Sequence, residues 1–482
     1  MFGALLDETA DRYGDRIALA IEGGASLTYR ELGLASADLA TKLRSLGVTP
    51  RQSMMLRLPS DHRYLITYCA LARLGAITAG VSPKLTEAEA ASIRSTLQPD
   101  HVMTVELFDD LAARPSQRAI APDVDAAVGE RDAVAIVFTS GTTGPAKGAI
   151  FRRSQIEAIC EADLGPKWKS TWNTGGAMIV STQFAHVGFM TKLWWYLRCG
   201  LTLWTVPRWS PGAILELIER ERVSALGAIA PQLAIMMGHP RFAHTDVSSV
   251  QMLIVGGAFS PPRLIERAIA AFNALYSVRY SSTESGGVGL SIDYGASSSV
   301  VPNCIGTPRP PVEARIVDEA GVPVDTGEVG ELCLRSPTMA DGYWNHPDAT
   351  AETFRNGWLH TGDLATQAPS GEFVLAGRRS EMYLRGGYNV YPSEVEAALG
   401  RHRDIRHIAI VAQHDEILGE VGHAFVELEP TSAGLTLDSI RTFGAESLAT
   451  YKLPEALTVL DSMPMTANSK IDLIALRSKV SS

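Results

Sequence analysis

The chain has 482 residues, of which 46% are hydrophobic and 20% charged, and its formal net charge is −10. That length exceeds what one hydrophobic core organises, so two or more domains are expected, and the apolar content is that of a globular protein rather than a disordered one. The acidic balance argues against nucleic acid as a partner, because phosphate-backbone binders concentrate positive charge, although a local basic patch around a nucleotide remains compatible with it.

The N-terminus carries Asp7, Glu8 and Asp11 and lacks a cationic start followed by a long apolar run, which argues against a signal peptide. Cys69, Cys160, Cys199, Cys304 and Cys333 are scattered, odd in number and form no C-x-x-C pair. That pattern suits a reducing compartment and offers neither a disulfide framework nor a metal motif. The Trp-rich stretch 193–206 is interrupted by Arg198 and falls short of a membrane span. A cytoplasmic protein with no membrane span is expected.

In chain order, Thr28 followed by Glu31 reads as a capping box. It opens a helix with apolar positions Leu32, Ala35, Leu39, Leu43 and Leu46, closed by Gly47. Apolar runs then alternate with helical patterns: a buried strand at 132–138, a helix at 213–222, a strand at 252–255 and a helix at 263–274. This alternation predicts α/β architecture with largely parallel sheets. From about 303 to 373 the texture changes to short strands rich in Gly and Pro, as at 313–317 and 331–335, which predicts a smaller β-rich subdomain. Past 377–380 comes a mixed unit, with a helix at 393–399, strands at 407–412 and 423–429, another helix and a last strand at 457–460. The fold class expected is α/β. Residues 1–379 are expected to form a large domain of two α/β sheet subdomains plus the β-rich one, and 380–482 a small α+β domain, which the family resemblance given below implies is mobile. The tryptophans Trp194, Trp195, Trp204 and Trp209 are assigned to the core.

The segment Thr139-Ser140-Gly141-Thr142-Thr143-Gly144-Pro145-Ala146-Lys147-Gly148 follows directly on the apolar run ending at Phe138. Its small residues let backbone N–H groups and hydroxyls approach an anion, its glycines permit a tight loop, and its lysine adds positive charge. Most Gly/Ser/Thr runs after a strand are plain loops; the hydroxyl content here favours an anion cradle. Lys147 is followed by Gly148 rather than Ser or Thr, so the segment is not a Walker A motif. It resembles the phosphate loop of the adenylate-forming superfamily of acyl-CoA synthetases, peptide-synthetase adenylation domains and luciferases, with the proline one place earlier than usual.

The resemblance recurs in order over almost the whole chain and is closest to acyl- and aryl-CoA ligases. Tyr280-Ser281-Ser282-Thr283-Glu284 resembles the family's aromatic-Gly-x-Thr-Glu segment. It implies that Tyr280 stacks on adenine, Thr283 contacts the α-phosphate and Glu284 holds Mg²⁺; a flat ring, a hydroxyl and a hard carboxylate suit those tasks. Ser281 replaces the usual glycine and is expected to narrow the acyl pocket. Gly256-Gly257-Ala258 resembles the small-residue turn beside the adenine, where glycine lets backbone approach a ligand. Thr361-Gly362-Asp363 resembles the segment whose aspartate accepts both ribose hydroxyls, and Gly377-Arg378 resembles the arginine that meets the ribose ahead of the hinge.

Phe184-Ala185-His186-Val187-Gly188 resembles the segment lying near the substrate carboxylate. An isolated histidine is more often a satisfied core residue; in register with the family, His186 becomes a gate or positioning residue. Ala185 stands where amino-acid-activating relatives place an aspartate. An α-amino acid substrate is therefore not expected, since a buried ammonium without a partner is costly. Near the C-terminus, 464–472 resembles the loop of the catalytic lysine, with Ser469 in place of the usual glycine. That implies Lys470 contacts the substrate carboxylate and the bridging oxygen as pyrophosphate leaves. Arg385-Gly386-Gly387-Tyr388-Asn389-Val390-Tyr391-Pro392 resembles the loop that enters the site for thioester formation. Ser380 occupies the hinge position usually held by Asp or Lys, and Leu384 replaces a usual lysine.

The resemblance implies a ligase that uses ATP and Mg²⁺ to convert a non-amino-acid carboxylic acid to acyl-AMP, then transfers the acyl group to CoA. The departures at Ser380, Leu384 and Ser469 keep two other acceptors open, a separate acyl carrier protein and an amine. A non-catalytic nucleotide- or acyl-binding protein is a third reading, disfavoured by the joint presence of Glu284, Asp363, Arg378 and Lys470.

Overall fold

A computed structural model describes residues 2–115, 129–139, 146–173, 175–180, 182–257, 260, 262–296, 301, 303–432, 434–466 and 471–480. The capping box forms as read. Glu31 N–H donates to Thr28 Oγ1 at 3.2 Å, and Thr28 N–H donates to Glu31 Oε2 at 2.8 Å, opening the helix Tyr29–Ser45. Leu32, Leu39 and Leu43 are buried on its inner face, whereas Leu46 is the C-cap residue and is 46% exposed.

A five-stranded sheet runs in the order His101–Met103, Ser53–Leu56, Ile77–Gly80, Ala133–Phe138, Gly148–Arg152. It is parallel except for its last strand. The strand read at 132–138 starts one residue later, because Asp132 turns out to pair with Arg51 at 2.9 Å and to accept the Gly129 N–H at 2.7 Å. A four-stranded sheet joins Ile17–Ile21 and Ser26–Thr28 to Leu201–Thr205 and Gly176–Ile179.

The ten-stranded sheet changes character along its width. Ala225–Ala228, Met252–Gly256 and Leu275–Tyr280 are parallel neighbours with helices between them. Leu290–Ser291 then pairs antiparallel and passes the sheet to Cys304–Pro308 and the antiparallel strands Phe373–Arg378, Trp358–Gln367, Gly330–Arg335 and Glu313–Val317. The β-rich region is thus hydrogen-bonded edge to edge with the parallel one. Of the connecting helices, Pro211–Glu221 is capped by Ser210, which accepts the Ala213 N–H at 3.2 Å, and Pro262–Phe272 gives way to Asn273 at φ 48°.

The last sheet contains Tyr383–Arg385, Tyr388–Val390, Ile405–Asp415, Gly419–Leu428 and Ala456–Leu460 and packs on its own apolar clusters, one around Val395, Leu399 and Val426, another around Phe425 and Leu476. Its helix Pro392–Leu399 rests on the large sheet: Ser393 Oγ donates to the Ala376 carbonyl at 2.6 Å, and Asn303 Nδ2 donates to the Ser393 carbonyl at 3.3 Å. Trp194 is fully buried, while Trp195, Trp204 and Trp209 pack partly buried against the clusters of the N-terminal part. Among the described residues no helix is long and apolar enough to cross a membrane.

On that docking helix, Glu396 accepts the Ile410 N–H at 2.8 Å, and burial, reinforced by Glu381, pushes its carboxyl up to about 7. The folded chain therefore keeps a proton that the unfolded chain has released, so stability falls as pH rises from about 4.5 to about 7. Glu396→Gln is expected to leave the Tm nearly unchanged at pH 4 and to raise it at pH 8, measured by thermal unfolding. Equal shifts at both pH values would contradict this.

Candidate active site

Of the proposed phosphate loop, Thr139 and Lys147 are described; Ser140, Gly141, Thr142, Thr143 and Gly144 lie outside the described residues. The flanking strands pair antiparallel, Phe138 opposite Gly148, as the two arms of a hairpin. Its neck is closed by Thr139 N–H donating to the Lys147 carbonyl at 2.9 Å and Lys147 N–H donating to Thr139 Oγ1 at 3.4 Å. Lys147 Nζ lies over the Tyr343 ring, 5.3 Å from its centroid, and the Tyr343 hydroxyl donates to Glu284 Oε1 at 2.7 Å. Burial, with Glu284 beside it, pushes the Tyr343 phenol up, so it stays a donor. Tyr343 reaches this position because 341–344 lies along Gly148–Arg152, with Asp341 N–H bonded to the Ile150 carbonyl at 2.9 Å and Trp344 N–H to the Gly148 carbonyl at 2.8 Å. No sequence pattern marked it.

The turn after Leu275–Tyr280 is locked from within. Ser282 N–H donates to Ser285 Oγ at 3.0 Å and Ser285 N–H to Ser282 Oγ at 3.1 Å, while Ala340 N–H donates to the Glu284 carbonyl at 2.8 Å. Thr283 and Glu284 are half-buried there, and Ser281 is exposed. Glu284 Oε2 has no partner among the described residues. A hard, half-buried carboxylate oxygen of this kind suits Mg²⁺, which keeps several waters and takes one or two carboxylates alongside substrate phosphates.

Tyr280, Asp363 and Arg378 meet. Asp363 and Arg378 are directly opposite on paired strands; Arg378 Nε donates to Asp363 Oδ1 at 2.9 Å, and the Tyr280 hydroxyl donates to Oδ2 at 2.5 Å. A carboxylate offers about four lone-pair positions, so each oxygen keeps capacity for a further donor. Burial and the Asp363 charge push the Tyr280 phenol up, keeping its proton in that bond. Gly257 follows the neighbouring strand at φ 77°, and at Gly256 a Cβ would lie 2.5 Å from the Arg279 carbonyl oxygen, so a side chain has no room at that turn. Ala258 lies outside the described residues.

Behind Asp363 stands a carboxylate that the sequence did not single out. Glu331, whose side chain is 5% exposed, accepts the Gly362 N–H at 3.1 Å and pairs with Arg379 at 3.1 Å; His360 Nδ1 lies 2.8 Å from both Glu331 Oε2 and Arg355 Nη2. Burial opposes its ionisation, but His360, Arg379 and the Gly362 N–H together hold it below the usual carboxylate range. Glu331, Cys333 and His360 offer ligand atoms within 4.8 Å of one another. The donor set does not suit a cation: two guanidiniums already crowd it, and burial pushes the Cys333 thiol up to about 12. The cluster instead ties the Asp363 turn to Arg379, one residue before Ser380.

His186 is exposed and N-caps the short helix Val187–Met190, its Nδ1 accepting the Gly188 N–H at 3.2 Å. The core position belongs to Phe184, stacked on Phe189 at 3.8 Å. Ala185 is half-buried with its Cα 3.0 Å from where a Cβ on Gly80 would sit. Gly386 and Gly387, at φ 56° and 85°, form the exposed turn between Tyr383–Arg385 and Tyr388–Val390. Among the described residues no hydrogen bond or ion pair links this hairpin to Glu284 or Asp363. Ser380 is exposed in a turn where Glu381 and Met382 N–H groups both donate to the Arg378 carbonyl, at 3.0 and 3.1 Å. Lys470 lies outside the described residues.

The model of the AMP-binding enzyme family matches residues 6–344, and that of the AMP-binding enzyme C-terminal domain matches 394–470. The chain belongs to the AMP-binding enzyme family. A feruloyl-CoA synthase from an Amycolatopsis species is 31% identical over 469 residues, 93% of each chain. The fatty acid–[acyl-carrier-protein] ligase ScoC of Streptomyces coeruleorubidus is 28% identical over 478 residues, 93% of this chain and 90% of that one. The structure of o-succinylbenzoate CoA synthetase from Bacillus subtilis with its acyl-adenylate superposes with a TM-score of 0.85 at 23% identity, covering 98% and 97% of the two chains. This member of the family is an AMP-forming carboxylate ligase, and curated relatives that match more than nine-tenths of its length are CoA ligases.

Glu331→Gln removes the charge that two arginines and the Gly362 turn share. It is expected to destabilise the fold by about 2 kcal/mol, the scale of a charged buried hydrogen bond, and to raise the KM for ATP. Thermal unfolding and initial rates at varied ATP check both, and an unchanged KM would show that the Glu331 cluster has no part in holding ATP.

Proposed function

We propose that the two linked groups of side chains divide the nucleotide between them. The segment 139–147, with Thr283, takes the phosphates; Tyr280, Gly257, Asp363 and Arg378 take the adenosine. The observation that carries this is the Asp363 carboxylate, which keeps acceptor capacity on both oxygens while Tyr280 and Arg378 fix its orientation. A vicinal diol supplies two hydroxyl donors to such a group. Glu284 would hold Mg²⁺, which when bound would neutralise charge on the phosphates.

A carboxylate is a poor electrophile, because its charge repels nucleophiles and oxide is a bad leaving group. As the carboxyl oxygen attacks the α-phosphorus, Lys470 offsets the charge developing at the bridging oxygen, and pyrophosphate departs. His186 and Ala185 line the acid's entry to that point, and the absent aspartate at Ala185 favours a non-amino acid. The CoA thiolate then attacks the adenylate's carbonyl carbon, the mixed-anhydride C–O bond breaks, and AMP leaves. The proposed boundary between 379 and 380 is supported by the separate apolar clusters on either side, and rotation about Ser380 exchanges Lys470 for the Gly386–Gly387 turn. A second reading keeps the adenylation and replaces CoA with a separate acyl carrier protein; the likeness to a carrier-protein ligase favours it over an amine acceptor. Five buried free thiols suit a reducing cytoplasm.

Lys470→Ala is expected to lower acid-dependent ATP–pyrophosphate exchange by at least about a hundredfold, the scale of one lost charge-stabilising donor, while calorimetry still detects ATP binding. Unchanged exchange would strip Lys470 of its role. Gly387→Leu places a Cβ where nothing lies within 4 Å, at a local cost of about 1 kcal/mol for the positive φ. It should spare exchange and block thioester release, and equal loss of both would refute the division of labour. Product analysis with CoA and with a pantetheinylated carrier protein decides the acceptor.

A further inference from the structure

The acyl side of the site contains a buried charge imbalance. Asp163, on the helix Arg153–Leu164, pairs with Lys192 Nζ at 2.6 Å through Oδ2 and with Arg309 Nη2 at 3.2 Å through Oδ1. The three side chains are 12%, 10% and 24% exposed respectively. Burial disfavours the Asp163 charge, yet the two cations outweigh it and hold the carboxyl below its usual range. Glu157, on the same helix, is already taken by Arg153 at 2.7 Å and Lys169 at 2.6 Å. Two cations thus share one anion, and Asp163 is the only partner of Lys192 Nζ among the described residues.

Lys192 also sits where the acyl segments converge. It follows the helix that His186 caps; its neighbour Thr191 donates to the Gly286 carbonyl at 3.2 Å, three residues from Thr283. Gly287 presents bare backbone there: a Cβ would lie 3.5 Å from Lys192 Cε and 3.8 Å from Val187 Cγ2. An ammonium with unused donors therefore borders the two segments assigned to the acid. Buried charge without compensation is costly, so a ligand that brings an anion is favoured over one that brings a methyl group.

We propose that Lys192, poised by Asp163 and Arg309, binds a second carboxylate at the far end of the substrate, so that the acid activated is a dicarboxylic acid. This rests on the adenylation reading above, with His186 and the Thr283 turn flanking the reacting carboxyl.

The test is ATP–pyrophosphate exchange by the full chain over straight-chain α,ω-dicarboxylic acids and aryl acids carrying a second carboxylate, each against its methyl-ended counterpart. The expected result is a kcat/KM ratio of at least tenfold in favour of the diacid at the best chain length. It should fall to about one in Lys192→Met through a rise in KM for the diacid, with much of it recovered in Lys192→Arg. A wild-type ratio of one or less overturns the proposal whether or not the variants fold, as does a ratio that survives Lys192→Met. Absence of exchange with every acid instead overturns the adenylation reading, and this proposal with it.

Discussion

The Asp363 carboxylate is the point at which the two halves of the large sheet become one site. Tyr280 reaches it from the end of the last parallel strand, and Arg378 reaches it from the antiparallel strand opposite. Each donor alone would leave the carboxylate free to rotate. Together they fix its plane, and they satisfy a group that would otherwise be buried with unmet acceptors. Because Arg378 begins the turn containing Ser380, the same bond that orients the Asp363 carboxylate also anchors the start of the C-terminal unit. Glu331 repeats the device one layer back, gripping Gly362 on one side and Arg379 on the other.

A comparable link joins Lys147 to Glu284. Lys147 and Glu284 come from different sheets, and Tyr343 bridges them with its ring toward one and its hydroxyl toward the other. Opposite charges left to pair directly would neutralise each other. A neutral aromatic between them holds the separation while leaving the ammonium and one carboxylate oxygen available. An arrangement of this kind is preorganised for a phosphate chain and its hard cation, which need the positive and negative groups apart.

What the sequence disclosed follows from what each feature depends on. The capping box at Thr28 and Glu31, the helices near 213 and 263 and the parallel strands were legible because periodicity and caps are local. The Tyr280, Asp363 and Arg378 group was legible through ordered resemblance, although Tyr280 was read for its ring and the structure adds its hydroxyl. Tyr343, Glu331 and Lys192 were not legible. Each acts through partners 59, 31 and 29 positions away, and such pairings arise only from sheet register and helix packing. The β-rich stretch after residue 303 was read correctly in texture, but its fusion to the parallel strands depends on the two-residue strand Leu290–Ser291, too short to announce itself.

Two aspartates, treated differently by the same fold, indicate how charge sorts the ligands. Asp363 receives one guanidinium and one neutral phenol, so its immediate surroundings balance and its spare lone pairs suit a neutral donor such as a diol. Asp163 receives an ammonium and a guanidinium, so its surroundings carry an excess of positive charge and spare donors, which suit an anion. Solvent could erase that contrast at a surface, where ion pairs are screened. Both carboxylates are close to nine-tenths buried, at 11% and 12% exposed, and there the sign of the imbalance selects the partner. A chain with a net charge of −10 thus keeps, next to the helix Val187–Met190, a small interior region of the opposite sign.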